Sequence, residues 1–123
     1  MSHIVSIKTR VTDAASLSAA CRRLGLAEPV QGTAQVFSTA ATGLMIKLPG
    51  WTFPVVADIR TGELKYDNYQ GAWGNAAELD KLLQAYAVER AKAEARRVGN
   101  TVTEQSLANG SIKLTIQVAG GRA

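Results

Sequence analysis

At 123 residues, 46% of them hydrophobic and 20% charged, the chain has the size and composition of one soluble domain with its own core. Its apolar runs, such as Pro54-Val55-Val56-Ala57, are too short to cross a bilayer, and its single cysteine excludes an internal disulfide. A net charge of +4, with an isoelectric point near 9.5, bears on partners rather than on fold.

Residues 1–10 carry no basic start, apolar stretch and small-residue cleavage site, so a cytoplasmic setting is expected. The first predicted element is a strand over 3–9, where Val5 and Ile7 point one way and Ser6 and Lys8 the other. A short helix follows in "TDAASLSAACRRLGL", capped by Thr12 or Asp13 and stopped by a left-handed Gly25 with Leu26 folding back. Leu17, Ala20, Cys21 and Leu24 fall on one stripe of it, which makes Cys21 a small buried hydrophobe rather than a reactive thiol.

Between 27 and 52 the pattern weakens, with short strands expected at 34–37 and 43–48 around a flexible "STAATG". The next strand is expected to place Phe53, Val55, Ala57 and Ile59 on one face and Val56, Asp58 and Arg60 on the other. A turn at "RTGE" then returns the chain through Leu64 and Tyr66. Asn75 and Glu78 have capping-box spacing at the head of a long helix that Gly99 ends. In that helix Ala87, Ala91 and Ala95 recur every four residues, a seam that permits close packing. The strands "TVTEQSL" and "SIKLTIQV" flank Asn109-Gly110, which favours a type I′ hairpin turn. The predicted fold is α+β: a two-layer sandwich of mostly antiparallel sheet covered by two helices. It forms a single domain over 1–118 with a flexible tail at 119–123.

No motif names a chemistry. "GAWGN" lacks phosphate-loop spacing, no G-x-G-x-x-G follows a strand, and one Cys with one His cannot supply a thiolate and imidazole zinc site. No cofactor is expected. Three sets of candidate residues remain. The aromatic residues Trp51, Tyr69 and Trp73 would make a partner surface if they share one exposed patch; otherwise they are loop anchors, and "YDNYQGAWGN" is a joint between strand and helix. The cations Arg22, Arg23, Arg90, Lys92, Arg96 and Arg97 could meet nucleic acid, although Glu89 and Glu94 interleave them as on a solvated helix face. Finally, Asp58 and Asp67 on neighbouring strands, with His3, could hold a metal ion or act as acid and base.

Several segments occur together in a matching order: "MSHIVSIKT", "RRLGL", "PVVADI", "LLQAYAVERAKAEARRVG" and "NGSIKLTIQV". In these the chain resembles the small uncharacterised family typified by the hypothetical chloroplast reading frame number thirty-five, found in plastids, cyanobacteria, other bacteria and phages. Residues 27–52 lie outside the likeness. The resemblance implies a domain of unknown function with no assigned catalytic residue, accessory to an AAA-type ATPase. Together the readings lead to an expected non-enzymatic interaction or adaptor protein. Weak nucleic-acid binding and a metal-dependent or acid–base enzyme are the alternatives, and the sequence leaves the oligomeric state open.

Overall fold

The computed structural model describes residues 5–36 and 39–118. In chain order the elements are β1 (Val5–Lys8), α1 (Ala14–Arg23), β2 (Val30–Val36), β3 (Thr39–Ile46), β4 (Val55–Asp58), β5 (Glu63–Tyr66), a single 3₁₀ turn (Tyr69–Gly71), α2 (Ala76–Arg97), β6 (Thr101–Ser106) and β7 (Ile112–Gln117). The first five strands form one sheet in the order β1-β5-β4-β3-β2, every neighbour antiparallel, while β6 and β7 pair as a separate hairpin. The fold is therefore the expected α+β class. His3 and the expected tail at 119–123 lie outside the described residues.

Helix α1 starts and stops on local chemistry. The Asp13 carboxylate accepts the Ser16 amide at 3.2 Å and the Ser16 hydroxyl at 2.5 Å, fixing the N-terminus. At the other end Gly25 takes φ +73, and Leu26 N–H reaches back to Cys21 C=O at 2.8 Å, satisfying a carbonyl the helix leaves open. Helix α2 begins at Asn75, whose side chain accepts the Ala77 amide at 2.9 Å. Its capping-box partner Glu78 turns instead to Lys81 at 3.2 Å. The two helices pack together over the sheet, and a pair of long-range bonds ties the entry of α1 to α2: the buried Tyr86 hydroxyl accepts both Thr12 N–H (3.1 Å) and Asp13 N–H (3.0 Å).

Leu17, Cys21, Ile46, Val55, Leu64 and Leu82 lie at the centre of the core between helices and sheet. Strand β4 is buried on both faces: Val55 and Ala57 join this core, while Val56 joins Ala34 and Ala41 on the far side, backed by Met45 and Phe53. Phe53 thus lies with Val56 and not with Val55, contrary to the alternation expected. The strand begins only after Pro54, so its period does not extend back to residue 53.

Two further expectations change. Thr39–Thr42 is strand rather than flexible linker, with Gly32 opposite Gly43, Ala34 opposite Ala41, and the Thr33 and Thr42 hydroxyls 2.8 Å apart. Gly43 suits this position because a Cβ there would sit 2.4 Å from Ala57 O of the adjoining strand. The last hairpin uses a three-residue loop, not a type I′ turn. Gly110 alone takes positive φ (+88), Gly110 N–H bonds Leu107 C=O at 3.0 Å, and Leu107 N–H bonds Ser111 C=O at 2.9 Å. The Asn109 side chain accepts the Ser111 amide at 3.0 Å instead of placing its own backbone in the left-handed region.

Candidate functional site

The joint between β5 and α2 is built around Asp67, which is buried at 1% exposure and accepts the Tyr69 amide on Oδ1 at 3.1 Å. Asn68 closes the loop, accepting Gly71 N–H and Trp73 N–H on its carbonyl and donating its side-chain amide to Gly74 C=O at 3.2 Å. Within this frame Tyr69 holds φ +47, the one positive value among the described non-glycine residues. An aromatic side chain rarely adopts that conformation, and such strain concentrates at functional turns. The conformation lays the Tyr69 ring on Trp73, centroids 4.7 Å apart and planes 23° apart, and Phe53 meets Trp73 edge-on at 5.6 Å. Tyr69 is 37% exposed, and Trp73 is half-buried.

Trp51 does not belong to this surface. Its indole is 5% exposed, donates Nε1–H to Asn75 C=O at 3.0 Å, and meets Tyr66 edge-on at 5.6 Å. Gly74 lies against it so closely that a Cβ would fall 2.4 Å from the ring. Of the three aromatics singled out from the sequence, Tyr69 and Trp73 come together at the surface and Trp51 anchors the core. Phe53 is the member that sequence reasoning missed.

The acidic set is not assembled. The register of β4 and β5 pairs Asp58 with Glu63 and Val56 with Lys65. Asp58 and Asp67 therefore stand at opposite ends of the strand pair, about four residues or ~13 Å apart. Asp58 closes its own turn instead, accepting the Arg60 amide at 3.1 Å and the guanidinium at 3.3 Å, which holds its carboxyl below the ordinary range. Among the described residues no three His, Cys, Asp or Glu side chains gather as metal ligands would.

Five of the six candidate cations face acids. Arg23, from the end of α1, bonds Glu89 at 3.1 Å and forms a bidentate pair with Glu104 of β6, and Lys92 bonds Glu104 at 2.9 Å and Glu89 at 3.4 Å. Hydrogen bonds first from Arg23 and then from Lys92 lower the Glu104 carboxyl to a pKa of about 2. This four-residue network ties the hairpin to both helices. Arg90 and Arg97 share Glu94, and Arg22 lies 3.7 Å from Glu28. Among the described residues Arg96 is the member of the set without an acid partner. The arrangement is a helix face whose cations are largely offset by acids rather than a bare cationic stripe.

A groove of about 850 Å³ that the sequence did not announce runs between residues 8–12 and α2. Val11, Leu83, Tyr86, Ala87 and Ala91 line it with apolar surface, and Lys8, Arg10 and Arg90 border it. The alanine seam was its one legible trace: Ala95 is buried, Ala91 half-buried and Ala87 exposed, so the seam runs out of the core into the groove. Compared with family models, with curated proteins and with solved structures, the chain matches none. Among the described residues no helix is long and apolar enough to cross a membrane.

Proposed function

We propose that this chain is an interaction or adaptor protein that recruits a partner protein through the aromatic turn of Tyr69 and Trp73. The observation that carries this reading is the strained Tyr69 backbone, held by a buried Asp67, which presents a stacked aromatic pair at the surface. A turn needed only to join β5 to α2 has no use for a tyrosine at φ +47, where glycine or asparagine is comfortable. Rigid aromatics of this kind are the usual anchors of protein interfaces, because they bury large area with little rotamer entropy. The family resemblance adds the class of partner, an AAA-type ATPase, and a cytoplasmic setting accords with a single thiol sealed in the core.

Affinity capture from cells of the organism that encodes the chain tests this, comparing the native protein with Tyr69→Ala/Trp73→Ala. Capture of a defined partner that falls by roughly tenfold or more in the double variant is the expected result. Equal recovery by both forms contradicts the proposal.

A further inference from the structure

The groove between residues 8–12 and α2 lies at the far end of β1 and β5 from the aromatic turn and calls for an occupant of its own. We propose that it is the docking site for an acidic, amphipathic helix supplied by a partner protein. Three features of the groove specify that occupant.

The first is charge. Lys8 and Arg10 are exposed and have no acid partner among the described residues; Arg90 is bonded to Glu94, the one carboxylate lining the groove, at 2.7 Å. Glu94 is shared with Arg97, so three cations border the groove against one acid that is already engaged twice. Across an interface, charge of this kind selects an oppositely charged partner and rejects a basic one.

The second is shape. Ala87 and Ala91 stand one turn apart on the accessible part of the lining, where small side chains let a second helix approach to within about 8–10 Å of the α2 axis. Half-buried Leu83 extends the apolar stripe along the same face of α2, with the buried ring of Tyr86 as its floor. An amphipathic helix laid in such a groove reads it at every third or fourth residue.

The third is a composition that does not match the groove in the residues outside the described structure. The segments outside the described structure, 1–4, 37–38 and 119–123, contain no Asp or Glu. A groove bordered by cations is complementary to an acidic segment, which these residues do not provide.

Labelled helical peptides about four turns long test the proposal. They share one leucine stripe and differ only in carrying glutamate, glutamine or lysine at the flanking positions, and fluorescence anisotropy reads binding at low and high salt. The glutamate peptide is expected to bind roughly tenfold tighter than the lysine peptide, with the difference shrinking as salt rises. Lys8→Glu/Arg10→Glu, which changes two exposed side chains, is expected to abolish that preference. Ala87→Trp is expected to block binding of every peptide, while Ala93→Trp, an exposed helix position outside the groove, leaves it intact. The proposal is overturned by equal affinity for acidic and basic peptides, by binding that survives Ala87→Trp in a folded variant, or by no binding of any peptide up to roughly millimolar concentration.

Discussion

Tyr86 connects the helix packing to the groove, and Tyr86→Phe removes a single oxygen from it. The ring stays in place at 4% exposure, so no cavity larger than a hydroxyl is left. The lost oxygen accepts two backbone donors, Thr12 N–H at 3.1 Å and Asp13 N–H at 3.0 Å, just where the chain enters α1. Each orphaned amide costs about 1 kcal/mol when water reaches it poorly. Thr12 is exposed and recovers part of that from solvent, whereas Asp13 is half-buried and already uses its carboxylate on Ser16. The expected destabilisation is about 1.5 kcal/mol, which lowers Tm by roughly 6 °C and the urea midpoint by about 0.8 M with an unchanged slope. Tyr66→Phe is the control, since its hydroxyl has no bonded partner among the described residues, and it is expected to stay within about 0.5 kcal/mol of the native protein. A loss below about 0.5 kcal/mol for Tyr86→Phe would refute the two-donor account.

Two glycine substitutions separate backbone strain from collision. Gly25→Ala meets only the left-handed penalty at φ +73, about 1 kcal/mol, since nothing lies within 4 Å of the new Cβ. Gly62→Ala adds to a similar penalty at φ +82 a Cβ placed 2.2 Å from Thr9 O, and denaturant titration is expected to show the larger loss there. Acid titration of native protein against Glu104→Gln tests the ion network. The folded carboxyl lies at about 2, below its ordinary range, so its contribution is complete above about pH 5 and fades as pH falls toward 2. With the side chain 27% exposed, the stability gap is expected to be about 1 kcal/mol near neutrality and to close by about pH 2, and a gap independent of pH contradicts it. Cys21 is fully buried, and burial raises its thiol pKa to about 11, so thiol reagents at pH 8 are expected to label it only as fast as the protein opens.

The parts legible in the sequence are those fixed within a few residues. Asp13, Gly25 and Asn75 act on neighbouring amides and carbonyls, so their roles were visible before any packing was known. The hairpin of β2 and β3 was only partly visible because its pairing rests on Gly32, Gly43, Ala34 and Ala41, which carry no apolar alternation. Trp51 is open to two readings in the sequence, surface patch or loop anchor, because what covers it is distant: it joins the core cluster, meets Tyr66 edge-on, and packs on Gly74, whose missing side chain leaves the space. At the basic end of α2 the interleaved Glu89 and Glu94 are legible as partners of the cations, whereas Glu104, which engages Arg23 and Lys92, arrives from β6 and is not. Asp58 and Asp67 lie on neighbouring strands, yet the register, which the sequence does not encode locally, sets them at opposite ends. The groove joins residues 8–12 to residues 83–94, and no local pattern encodes that meeting.

Hydrogen exchange on the native protein, free and bound to its captured partner, addresses partner recruitment most directly. Amides of residues 67–74, around the Tyr69 turn, are expected to slow on binding, and the slowing should vanish with Tyr69→Ala/Trp73→Ala. Unchanged exchange across that turn while the partner is bound would contradict recruitment through it.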